Sequence, residues 1–223
     1  MAKFISNDLL IYISKAGATF TDAEATAIST AKPAVITGTP GALVEGDVVA
    51  VKTTGVASLD DKMFAAGAPS GATVGETFSL VGTDTTAEAG TTAAFDGTGG
   101  TDEVAFMPAA SMTKICLREM EIGQATTSEV DASDFCNEAT LPGPSTPGPV
   151  TFTGYVDTTS DAYIELKAAA DDGIERVIKF VGPNKQYWVG KVTIGDLSWS
   201  FPRGDVCTFS ATGTQSLKLQ HRF

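Results

Sequence analysis

The chain has 223 residues, 43% of them hydrophobic and 19% charged, enough to bury one large core or two small ones. Its formal net charge of -12 and pI near 4.4 disfavour a wrapped nucleic-acid complex, which needs clustered Lys and Arg against phosphate. No run approaches the roughly 18 apolar residues of a membrane helix. In MAKFISNDLLIYIS, Asn7 and Asp8 precede a short apolar run, unlike a signal peptide, so synthesis and use in the cytoplasm are expected.

In chain order, LLIYIS at 9–14 reads as a strand with two buried faces. From about Thr26 to Ala110 the texture changes: Gly, Ala and Thr dominate, Arg, Trp and Tyr are absent, and ten acids against three lysines give a net of -7. The windows AVITG, DVVAVKT, KMFAAG, ETFSLVG and EVAFM alternate as strands do, so a small all-β module with a thin core is expected rather than a disordered insert. KICLREMEI at 114–122 reads as one further strand, although its mixed pattern also suits a short helix.

LPGPSTPGP at 141–149 holds four prolines and two glycines in nine positions. It fits a linker, a proline-reading ligand through the Pro144 to Pro147 spacing, or an open loop kept for a partner. The linker is disfavoured because SEVDASDFC before it and VTFTGYV after it are expected in one sheet. SDAYIELKAAADDG at 160–173 is the one expected helix, about 161–172, with Ser160 as N-cap, apolar residues at helical spacing and Gly173 as stop. IERVIKFV at 174–181, QYWVGKVTI at 186–194, GDLSWSF at 195–201 and DVCTFSATG at 205–213 follow as strands with short punctuation, Gly195 serving in one gap.

Chemistry-bearing motifs are sparse. Cys116, Cys136 and Cys207 form no CxxC or Cys/His pair and read as free, partly buried thiols. The single histidine, His221, stands two residues from the end of the sequence, a poor place for a nucleophile system. GTGG at 97–100 is turn-rich but neither follows a strand nor opens a helix, and no phosphate-loop, HExxH or calcium-loop pattern occurs. Arg203, Gly204 and Asp205 spell RGD, expected here as a hairpin turn. Asp60 with Asp61 and Asp171 with Asp172 read as solvated acids rather than metal or acid/base pairs. Tyr187, Trp188 and Trp199 read as core packing rather than base-stacking platforms, since few Lys and Arg flank them.

The stretch from Thr113 to Leu219 resembles the tail tube (major tail) protein of long, non-contractile-tailed bacteriophages. The order carries the likeness: a strand ending in EVDASDF, an open loop, a strand, a helix of the form AYIELKAAADDG, then IERVIKFVGPNKQYWVGKVTIGDLSWSFPRGDVCTFSATG. LLIYISKAGATFT is similar to that family's first strand, and PAVITGTPGALVEGDVVAVKTTGVASLDDKMFAAG with ETFSLVGTDTT resembles a small β domain inserted in phage structural proteins. The resemblance implies a mainly-β fold: a tail-tube β-sandwich or barrel with one helix, built from residues 1–25 and 112–223, with an inserted all-β domain at 26–111 on the outer surface.

It further implies a structural virion protein, not an enzyme and without a cofactor, made in the host cytoplasm and located in the tail. Copies of itself would form hexameric rings with a shared, closed β-barrel, stacked into a tube for genome ejection. Tape measure, tail terminator and distal tail proteins are the implied partners; double-stranded DNA passes without specific binding, and no membrane is involved. Carboxylates facing a duplex repel it, so an acidic lumen lets it slide. Polar faces of alternating strands supply the lumen candidates Glu119, Glu121, Asp196, Ser198 and Ser200, with Leu197, Trp199 and Phe201 expected to point into the core. The inter-ring loop candidates are Asn137, Glu138, Leu141, Pro142, Pro144, Pro147 and Pro149. A β-sandwich binding a surface glycan or protein is the alternative expectation.

Overall fold

In the computed structural model, residues 10–39, 41–53, 56–70, 76–88, 103–123, 126–131 and 140–222 are described. The fold is mainly β, with one α-helix among the described residues. Two compact units arise: Met1–Ile115, Val177–Gly190 and Leu219–Phe223 form the first, and Cys116–Arg176 with Lys191–Lys218 the second.

The first unit opens with β1 (Leu10–Ser14), β2 (Thr21–Asp22), β3 (Ala27–Ile28), β4 (Val35–Gly38), β5 (Val48–Lys52), β6 (Lys62–Ala65), β7 (Glu76–Ser79), β8 (Glu103–Met107) and β9 (Met112–Ile115). All five strand windows expected in the Gly/Ala/Thr-rich segment are therefore strands. They assemble into a four-stranded sheet of order β2-β8-β5-β6 and a three-stranded sheet β3-β4-β7. Every described pairing is antiparallel, Val49 lying between Phe64 and Phe106, and Ile36 opposite Phe78.

Period-two alternation turns Val49, Val51, Phe64, Val104 and Phe106 into one core with Ile36 and Phe78 of the other sheet and Leu80 just after β7. Each such large side chain contributes roughly 1.5–3 kcal/mol on leaving water. The alternate residues Val48, Met63, Ala65 and Met107 are buried too, so the four-stranded sheet is covered on both faces. β1 then pairs on one side with β9, Ile11 opposite Ile115.

The remaining elements are β10 (Glu119–Ile122), β11 (Thr126–Asp131), β12 (Thr140–Thr146), β13 (Pro149–Tyr155), α1 (Asp161–Asp172), β14 (Arg176–Gly182), β15 (Gln186–Ser200) and β16 (Thr208–Arg222). In the first unit, β14 pairs with β1, Phe180 opposite Ile11, and with the opening of β15. In the second unit the strand order is β10-β13-β16-β15. α1 has the expected bounds: it buries Ala162, Leu166 and Ala169 and ends at Gly173 in the left-handed region, φ +63°. Ser160 occupies the N-cap position but makes no side-chain capping bond.

Four expectations are corrected. KICLREMEI is two strands, because the chain leaves β1 after buried Ile115 and re-enters beside β13, where the Arg118 amide donates to Thr153 O at 2.9 Å. Gly195 is no break: it continues β15, whose partner β16 is as long. LPGPSTPGP is not an open loop: residues 140–146 form β12, paired with β11 in a two-stranded sheet of their own. Consequently the described part of SEVDASDFC, through Asp131, and VTFTGYV do not share a sheet, β11 lying in that separate ribbon.

Candidate assembly surfaces

β10 presents the first pair of lumen candidates. Glu119 and Glu121 are exposed, opposite Thr153 and Thr151 of β13, and β10 ends the strand order on that side. Asp196, Ser198 and Ser200 are exposed on the second half of β15, where the Ser198 hydroxyl donates to Ser210 O at 3.2 Å. Two strands, β13 and β16, stand between these groups, so the structure does not bring them together.

The assignment of Leu197, Trp199 and Phe201 to a core is corrected: Leu197 is half-buried, Trp199 is 46% exposed and Phe201 69% exposed. Alternation persists, but β15 runs on past Ile194, beyond the packed residues. Trp199 instead donates from Nε1 to the Tyr163 hydroxyl at 3.3 Å, and Tyr163 meets Phe209 edge-on at 5.6 Å. Tyr155 and Val206 are also exposed, so the β15–β16 end carries an apolar surface. Cys116 is exposed, not partly buried, since it lies in the break between β9 and β10; Cys207 is half-buried. Cys136 and GTGG lie outside the described residues. Arg203 to Asp205 form an exposed turn with Gly204 at φ +80°.

Of the loop candidates, Asn137 and Glu138 lie outside the described residues. Leu141, Pro142 and Pro144 lie in β12, where Pro142 is opposite Glu129 and a bulge follows Thr127. Proline gives the ladder no N–H, which confines it to strand edges and bulges. Pro147 is half-buried, and Pro149 is exposed at the start of β13.

The base of this ribbon is fixed by residues the sequence reading missed. The Gly123 amide donates to Pro149 O at 2.7 Å, and buried Gln215 donates from Nε2 to Gly148 O at 2.7 Å. A Cβ on Gly123 would meet Pro149 Cδ at 2.7 Å, so only glycine fits. No sequence signal marks Gln215, one polar residue among many in an alternating strand.

The acid pairs have structural duties rather than solvated ones alone. Asp60 accepts from the Thr53 amide, Asp171 pairs with Lys167, and Asp172 with Arg176, whose side chain is buried. Burial pushes the Asp172 carboxyl up, but the Ile174 amide and Arg176 outweigh it and hold it below its ordinary value. Tyr187 is buried and Trp188 half-buried, as core packing requires. Among the described residues, no three His, Cys, Asp or Glu cluster to hold a metal, and no helix is long and apolar enough to cross a membrane.

No protein-family model matches the chain, and no curated protein does. Among solved structures, a chain in the tail of an empty GTA particle with C6 symmetry is 14% identical, with a TM-score of 0.41 over 52% of this chain and 89% of that one. A chain of the sheath/tube terminator of the extracellular contractile injection system PVC is also 14% identical, TM-score 0.40, covering 49% and 87%. One from the PVC sheath-tube complex gives 14%, 0.39, 49% and 82%. Likenesses this distant, over half the chain, assign it no function.

Proposed function

We propose that the chain is a structural, non-enzymatic subunit of a phage tail tube, which self-associates into hexameric rings stacked as a genome conduit. The β11–β12 ribbon carries this reading. Among the described residues its strands pair only with one another, yet its base is tied to the sheet at Gly123 and Gln215. A two-stranded ribbon is marginal alone in water, so this one would gain stability from a partner, here the next ring. The exposed acids of β10 and β15 suit a lumen that repels DNA. Residues 26–111 are an insertion between β1 and β9, facing outward. Tape measure, terminator and distal tail proteins would be the partners of such a tube, in a virion tail.

Negative-stain electron microscopy of the purified full chain tests this reading. Rings or tubes are expected; a strictly monomeric particle at high concentration, with no polymer on adding other tail components, sinks it. The exposed Tyr155, Trp199 and Phe201 favour a second reading, a β-sandwich that binds a glycan or protein, for which a monomer retaining glycan-array binding is the expected result.

A further inference from the structure

We infer that the inserted module is docked on its own chain through a buried latch, Lys179 of β14, and does not hang from its two connections. The observation is a conjunction. The four-stranded sheet β2-β8-β5-β6 uses one face for the module core, yet Val48, Met63, Ala65 and Met107 on its other face are buried as well. A module free on two connections leaves one face of its sheet to water.

At the rim of that covered face, Val44 to Asp47 lead into β5, and there Lys179, only 7% exposed, donates from Nζ to Gly46 O at 2.8 Å. The same ammonium lies 5.0 Å from the ring centre of Tyr12 in β1, within cation–π range. Asp47 is buried, accepts from the Val44 amide at 2.9 Å, and acts on Lys179 electrostatically. Gly46 sits at φ +88° with the Tyr187 hydroxyl 3.4 Å from where a Cβ would stand, and Lys185 pairs with Glu45 at 2.6 Å.

The latched loop is continuous with the sheet. The Gly46 amide donates to Ala66 O and the Ala66 amide to Asp47 O, both at 2.8 Å, so fixing the loop fixes β5 and β6. A buried ammonium is tolerated only when hydrogen-bonded and paired, and Lys179 finds its partners on the module. Removing them strands the charge, which makes docking specific to this arrangement.

Hydrogen exchange of the full chain tests the latch. Lys179→Met keeps the length and removes the donor; Gly46→Ala keeps the lysine and displaces the loop. In each, amides of Val48–Val51 and Met63–Ala66 are expected to exchange at least tenfold faster, with residues 150–172 unchanged. Unchanged exchange over 48–66 in Lys179→Met overturns the latch. Equal acceleration in 150–172 also overturns it, since Lys179 would then support the whole fold. If wild-type β5 amides already exchange as fast as exposed loops, the sheet is not covered and docking itself fails.

Discussion

Asp84 is an exposed carboxyl whose neighbours fix its charge. Oδ1 accepts from the Thr86 hydroxyl at 2.6 Å and the Thr86 amide at 3.1 Å, and Oδ2 meets Lys32 at 2.9 Å. The Thr86 hydroxyl, with Lys32 next, lowers its pKa to about 2 from 3.8. The folded value lies below the unfolded one, so its stabilising effect is complete above pH 3.8 and is lost as pH falls through about 2. A carboxyl-carbon NMR titration should show that midpoint, with Thr86→Ala raising it more than Lys32→Ala. A glycine gives a second prediction at this scale. A Cβ on Gly154 would stand 2.6 Å from the Phe209 ring, and Phe209 is buried against Tyr163. Gly154→Ala should therefore destabilise by about 1–3 kcal/mol in denaturant unfolding, while Gly195→Ala, with 3.9 Å of clearance, should not suffer that clash.

Among elements, the ribbon is the one on which the proposed assembly rests. Replacing Thr126–Thr146 by a short Gly-Ser turn keeps Gly123, Gly148, Pro149 and Gln215, the groups that fix its base. The variant should unfold within a few degrees of wild type yet form no long tubes by electron microscopy; tubes of normal length would remove the ribbon from the stacking contact. Legibility differed between elements for physical reasons. α1 was readable because apolar spacing, Ser160 and Gly173 agree on one answer. The ribbon was not: proline and glycine mark turns, but on a strand with a free edge or a bulge a missing N–H breaks no ladder bond. Alternation in GDLSWSF correctly separates two faces but not which one is covered, hence the exposed Trp199 and Phe201. Nothing in RVIKFVG distinguishes Lys179 from a solvated lysine, since its partners at Gly46 and Asp47 are 133 and 132 positions away.

For the whole molecule, charge opposes the proposed assembly. Each copy carries a formal -12, of which the segment Thr26–Ala110 holds -7, so the proposed rings would form against mutual repulsion. The exposed apolar side chains Tyr155, Trp199, Phe201 and Val206 offer contacts that salt does not weaken. Screening acts only on the opposing term: the Debye length falls from about 30 Å at 0.01 M to about 10 Å at 0.1 M and 3 Å at 1 M. Assembly is therefore expected to strengthen with ionic strength. Sedimentation of full-length protein at 0.01, 0.1 and 0.5 M NaCl should show the polymer fraction rising, and Phe201→Asp should suppress it at every concentration. A polymer that dissolves as salt rises would mean that ion pairs between copies hold the assembly, with the apolar end of β15 and β16 outside the contact.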